Sequence, residues 1–444
     1  MSLTTLRALV LLLVSLAGPQ LAPAAVIEIT PQDNYRSAMQ NLVAGDTLIM
    51  HGGNYPLTSF FQLSLNGTAQ LPITIRAAVG EQPVIEYVGS GQNIVNVSNS
   101  SFLTFDGIEF TGGSRGIRLT ASSDITIRNC HVHHTAANAI SANDIGSVYA
   151  RLTIVHNEID HAGGTAEGLY LGCNNDECRI HDSLIANNYI HHLNDPGVTQ
   201  GDGIEIKAGS YANIVRDNVI HDTRYPGITL YHTHGNGAPN LIERNLVWNS
   251  GDNGIQVTAD AIVRNNIVLG AAAHGIGIHG SQGGTVGNLE IVNNTVLKAS
   301  GDAIHINDVS GSVLIANNAL YAQSGRAVYA DGTTSLVTML ANAGTGGLSG
   351  VSTGFNAGGN IATNFASANY SGAPPMDLVP TIGLLVGSAD ATTIAQDDFN
   401  ALSRSPQADV GAYRSNPAGN PGWVLQAGFK ETSFLFADGF DPAP

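Results

Sequence analysis

From Phe102 to about Ser335 the apolar positions alternate with polar ones at a period of two, and the pattern breaks and restarts every 21 to 31 residues. Each unit opens with two or three alternating apolar residues, then an Asn, one further residue and an Ile or Val, as in LIANNYI, NIVRDNVI, AIVRNNIV and VLIANNAL. A loop of variable length follows, and then a tetrad of the Gly-Ile-x-Ile kind. Period-two alternation places successive side chains on opposite faces of a strand. Repeated at this interval, it predicts short strands stacked coil upon coil. The expected fold is all-β, a right-handed parallel β-helix (three-sheet solenoid) with neighbouring coils about 4.8 Å apart.

Two sets of columns follow from aligning the coils. The Asn column runs through Asn157, Asn188, Asn218, Asn245, Asn266, Asn294 and Asn318, with Asp106 and Cys130 expected at its head. Stacked Asn side chains can bond one to the next as an amide ladder, a structural role. In the tetrads the Ile, Leu and Val residues face the core, while the Gly, the third residue and the residue after the tetrad face outward. On the middle coils the third-residue column reads Tyr170, Glu205, Thr229, Gln256, and the next column reads Gly172, Lys207, Tyr231, Thr258.

The ends depart from the repeat. Residues 1–25 combine Arg7, an apolar run from Ala8 to Ala17 and a small-residue exit at Ala22-Pro23-Ala24-Ala25, which predicts a cleaved signal peptide and a secreted or periplasmic protein. Residues 26–101 are expected to hold an N-terminal capping helix, over Asp33 to Val43, and the first coils. The core is expected over 102–335, and 336–444 as degenerate terminal coils and a packed tail ending loosely in FLFADGFDPAP.

Composition narrows the partners. A formal charge of -17 argues against nucleic acid or an anionic membrane surface, and no stretch outside the leader is long and apolar enough to span a bilayer. A soluble monomer acting on a polysaccharide is expected, with a cation bridging the protein to any acidic sugar. Lys207, Lys298 and Lys430 are the only lysines, so a lysine in a cleft carries information. Cys173 and Cys178 bracket the loop CNNDEC and are expected to pair in an oxidising compartment, leaving Cys130 as a buried thiol.

The candidate chemistry gathers on the longest coils, whose extra residues must leave the stack as loops and wall a groove. Glu167, Asp202 and Glu205 are hard oxygen donors suited to Ca²⁺. Lys207, in an outward column beside Tyr231, is the candidate base. Tyr231, His232 or His234 is the candidate acid. Tyr170 and Gln256 extend the outward columns as substrate contacts. Histidines also recur after the Asn motif at His133, His134, His161, His191, His192 and His221. Such clustering suits a transition metal or proton transfer, although its regular place in the repeat is also what a structural stack would show. His161 and His192 are the two expected to reach the groove.

With GDTLIMHGGNY followed by PITIRAAVGEQPVIE, the Asn-turn coils and GDGIEIKAGS, the chain resembles the pectate-lyase-like superfamily of right-handed β-helices from about Val26 to Ala330. Within it, the resemblance is to polysaccharide lyases acting on alginate, pectate and dermatan-type uronans. The resemblance implies Glu205, with Asp202 and Glu167, as Ca²⁺ ligands and Lys207 as base of a β-elimination. Where alginate and dermatan lyases carry an arginine on the next coil, this chain has TLYHTHG, with Arg224 in the preceding loop as the nearest substitute. A C5-epimerase, a glycoside hydrolase using Asp202 and Glu205, and a non-catalytic carbohydrate-binding solenoid are the alternatives.

Overall fold

A computed structural model describes residues 24 to 431 other than Ile382. All but the last two residues of the expected signal peptide, and the final FLFADGFDPAP, lie outside the described residues.

The chain winds as a parallel β-solenoid. Each coil contributes three strands, for example Leu184–Ala186, Tyr189–Leu193 and Ile204–Ile206. These belong to an entry sheet, a middle sheet and a tetrad sheet. Each strand pairs in parallel with its counterpart one coil on, Leu184 facing Ile214, Tyr189 facing Val219 and Ile204 facing Ile228. The entry sheet reaches 13 strands, from Val26–Ile29 to Val337–Leu340. Ile185, Ile190, Ile204 and Ile206 point inward and are fully buried, so period-two alternation does build the core.

Between entry and middle strands the chain turns in two residues. The first takes the left-handed region, as at Asn187 (φ 52°), Asn265 (φ 55°) and Asn293 (φ 55°), a conformation Asn tolerates better than most residues. The second is the ladder Asn. From Asn157 to Asn318 each Nδ2 donates to the Oδ1 of the Asn one coil on at 2.9–3.0 Å. The ladder runs one coil further than the motif suggested, to Asn342, where Gly344 replaces the expected Ile or Val. At its head, Asp106 is not a member: the register sets it against Arg76 and Arg128 within the entry sheet. Cys130 does hold a ladder position, its N–H donating to Asn157 Oδ1 at 3.0 Å.

The N-terminal helix is shorter than expected, Tyr35–Gln40, with the Asn34 side chain accepting from the Ser37 N–H, and Tyr35 and Met39 buried in the core. At the other end the chain pairs Phe365–Ser367 with Asp377–Pro380 and turns back as a strap along the outside of the middle sheet. Strap residues Leu378, Phe399, Val410, Tyr413 and Leu425 cluster with outward Leu246, Trp248, Leu269, Leu297 and Tyr321. Lys430 anchors the strap, fully buried, its Nζ donating to Asp217 Oδ1 (2.8 Å), Arg244 O (2.9 Å) and Phe399 O (2.6 Å).

Candidate active site

The tetrad sheet keeps the expected register: Ser141, Tyr170, Glu205, Thr229, Gln256 and Gly277 face one another in succession. Lys207 and Tyr231 follow two residues after Glu205 and Thr229, on adjacent coils. These side chains point away from the solenoid core and are nevertheless covered, Glu205 being 3% and Lys207 5% exposed. Loops provide the cover. Cys173 and Cys178 are joined as a disulfide that closes the loop carrying Asn174, and Asn174 Oδ1 accepts from Gln282 Nε2 at 2.8 Å. Gln200, Tyr225, Pro226 and Asp252 also line the resulting cavity of about 280 Å³, whose floor includes Asp202, Glu205, Lys207, Thr229, Tyr231 and Gln256.

Charge is concentrated on that floor. Lys207 Nζ bonds Glu205 Oε1 and lies 4.6 Å from the Tyr170 ring centroid and 5.0 Å from that of Tyr231. Tyr231 Oη donates to the same Glu205 oxygen at 3.2 Å. Thr229 Oγ1 donates to Asp202 Oδ1 at 2.6 Å, and Asn138 Nδ2 donates to Glu167 Oε2. Carboxylate oxygens of Glu167, Asp202 and Glu205, all buried, lie within 4.8 Å of one another. Glu205 Oε2 is buried with no hydrogen-bond partner.

Three buried carboxylates and one ammonium leave negative charge uncompensated, and the titration directions reflect it. Burial, and then the charge of Glu205, pushes Asp202 well above the usual carboxylate range. Burial raises Glu205 as well, against the pull of Lys207. For Lys207 burial opposes the charge, but Glu205 outweighs it and holds the ammonium above the usual lysine range. Tyr231 is raised by burial and by Glu205 and keeps its proton. Hard oxygen donors with an unpartnered buried oxygen are a donor set that suits a divalent cation such as Ca²⁺.

Not every expected residue joins this cavity. His161 and His192 end middle-sheet strands in the left-handed region (φ 47° and 52°), which stacks their rings along the solenoid with His134, at 4.9 and 5.1 Å, and not over the tetrad sheet. His232 and His234 stack at 3.9 Å and line a different cavity, of about 380 Å³, with Asp260 and Gly283. The loop carrying Gln282 stands between the two cavities, its carbonyl 3.3 Å from His232 Nε2. Arg224 is exposed and lines an adjoining cavity that shares Tyr225 and Asp252 with that of Lys207.

One column went unread in the sequence. The residue before each tetrad is also in register, and there Asn138, Glu167 and Asp202 occur in succession, linked through the Ala139, Gly168 and Gly203 backbone. Extending the tetrad alignment one residue back would have found it. The wall residues Asn174, Gln200, Tyr225, Asp252 and Gln282 come from loops without a period and offered no such signal.

A parallel β-helix with a loop-walled, acid-lined cavity holding a lysine defines the class. The family described as "Pel9A-like, right handed beta helix region" matches residues 14–256, and the chain belongs to it. A second family, described as periplasmic copper-binding protein (NosD), matches residues 179–372. Pectate lyase PEL9 of Emericella nidulans is 24% identical over 134 residues, 26% of this chain and 33% of that protein, so the chain spans a third of the curated relative it matches. Among solved structures, pectate lyase Pel9A superposes with a TM-score of 0.50 at 15% identity, over 88% of this chain and 96% of that one. XylC in complex with xylose gives 0.55 at 12% identity, over 88% and 98%. At these identities the likeness is one of fold.

Proposed function

We propose that the protein is an exported polysaccharide lyase that cleaves a uronic-acid-containing polysaccharide by β-elimination, with Lys207 as the base. The observation that carries this reading is the buried lysine set among three carboxylates on the floor of an outward-facing cavity. Its membership of a Pel9A-like family and its pectate lyase relative support an acidic polysaccharide as substrate class and a lyase as enzyme type. The apolar leader, and relatives named as pectate lyase and periplasmic protein, support export to the periplasm or the exterior.

Glu167, Asp202 and Glu205 would hold Ca²⁺, whose positive charge would offset that of a sugar carboxylate, acidify the proton beside it and weaken the hold of Glu205 on Lys207. Lys207 Nζ, freed from Glu205 and having given up its own proton to solvent, acts as the neutral amine and takes the proton from the carbon bearing the sugar carboxylate. The carbon–oxygen bond at the neighbouring carbon breaks, a carbon–carbon double bond forms, and the departing oxygen receives the proton of Tyr231. Tyr170 holds the lysine from its other side. Gln256, three coils beyond Tyr170 in the same column, orients the next sugar, and Arg224 in the adjoining cavity meets a substrate carboxylate further along.

A second reading has one observation in its favour. The raised Asp202 matches the protonated acid that a glycoside hydrolase needs, with Glu205 as its partner carboxylate. A panel of uronans, with and without chelator, separates the readings. A chelator-sensitive rise in unsaturated-product absorbance supports the lyase. New reducing ends without unsaturation support the hydrolase, and altered uronate stereochemistry without chain cleavage would indicate an epimerase.

A further inference from the structure

On the middle sheet the strap covers the outward residues from Val219 onward. The preceding coils, which the strap touches through Phe429, stacked on His156 at 4.2 Å and near Tyr189 at 6.0 Å, carry Glu109, His131, His133, Glu158, Asp160 and His191 in the equivalent positions. We propose that His133, His134 and Asp160 form a binding site for a transition-metal ion of the zinc class, separate from the tetrad-sheet cavity.

The geometry argues for it residue by residue. His133 Nδ1 faces His134 Nδ1 at 2.6 Å. Two imidazole nitrogens so close cannot both present lone pairs to each other, so one carries a proton that a metal ion would displace as the rings part to bind it. His133 Nε2 lies 3.0 Å from Glu109 Oε1, which places its proton on Nε2 and leaves Nδ1 as a lone-pair donor. Thr111 Oγ1 is also 3.4 Å from that Nδ1. Potential ligand atoms of His133, His134 and Asp160 lie within 4.8 Å of one another. Asp160 is itself held by His131 Nε2 at 2.6 Å and His161 Nδ1 at 2.5 Å. Glu109 behind His133 is the carboxylate-and-histidine outer-shell pattern that orients metal ligands. Two imidazoles and one carboxylate suit zinc or copper better than calcium.

The arrangement recurs on the coil after Asp160. His191 Nδ1 and His192 Nδ1 are 2.6 Å apart, with His191 Nε2 3.2 Å from Glu158 Oε1. There Asp222 lies 4.0 Å from His192 Nε2, and His191, His192 and Asp222 do not bring three ligand atoms within 4.8 Å of one another, so of the two histidine pairs the one with the complete ligand set is the first. Because His133 and Asp160 lie on adjacent coils and Glu109 on the coil before them, a bound ion ties together coils of the middle sheet at and beyond the edge of the strap.

The test uses chelator-treated full-length protein titrated with Zn²⁺ by calorimetry and with Co²⁺ by visible absorption. The wild type should bind one tight Zn²⁺, raise its melting temperature on binding, and show a Co²⁺ spectrum of nitrogen and oxygen ligation. H133A/H134A should abolish that event with an unchanged circular dichroism spectrum. E109Q, which keeps all three ligands, should weaken it by about 10–100-fold. Absence of tight Zn²⁺ binding by the wild type would overturn the proposal. So would an unchanged affinity and Co²⁺ spectrum in H133A/H134A, or loss of the event in H191A/H192A alone.

Discussion

The outer faces of the tetrad sheet and of the middle sheet are built from the same coils, and both bury charge, yet they treat it in opposite ways. Under the strap, Lys430 meets three oxygen acceptors and Arg404 bonds the carbonyls of Asp397, Gly411 and Ala412 within an apolar cluster. Under the loops of the tetrad sheet, Glu205 Oε2 has no partner, and Asp202 is pushed toward its protonated form. Satisfied burial stabilises a fold, whereas unsatisfied burial persists where a ligand or reaction supplies what is missing. On the proposed function the two faces divide the labour, with stability on the middle sheet and chemistry on the tetrad sheet.

Substitutions can break that division. K430A should cost the most stability, about 3–5 kcal/mol in urea unfolding, since it leaves Asp217 and Arg244 in a broken buried network, while elimination activity of the folded fraction is unchanged. His221 stacks on Trp248 at 4.1 Å at the strap's edge, and burial pushes its pKa from 6.5 down to about 4. The unfolded chain binds the extra proton between those values, so stability should fall as pH drops from about 6.5 to about 4, by about 3 kcal/mol for this group. H221F should flatten that part of the pH–stability curve. N218A removes one rung of the ladder, strands the Asn188 N–H and takes one of two acceptors from the Asn188 side-chain amide. It should cost about 1–3 kcal/mol and weaken both faces together. D202N should leave the melting temperature unchanged or higher while abolishing activity, because it relieves a burial penalty.

The solenoid was legible because its core follows a period: Ile185, Ile190 and Ile204 recur coil after coil, and the Asn ladder marks each turn. The columns that hold Glu205, Lys207 and Tyr231 came from the same arithmetic. What the sequence hid was decided by turns and loops. A left-handed residue at the end of a middle strand sends His161 and His192 along the solenoid, and the loop around Gln282 separates His232 and His234 from Lys207. The strap was hidden for the same reason, since its contacts with Leu246, Leu269 and Leu297 join segments far apart in the chain with no shared period. Asp106 matched the ladder motif in spacing alone; its register against Arg128 shows that it belongs to the entry sheet.

The most direct test of the account is the rate of unsaturated-product formation from the preferred uronan by K207A, with folding checked by melting temperature. The proposed role of Lys207 predicts a loss of about 10²–10⁴-fold in the rate of the folded protein, beyond any destabilisation that comes from leaving buried Glu205 without its ammonium. Elimination retained by a folded K207A protein would contradict it.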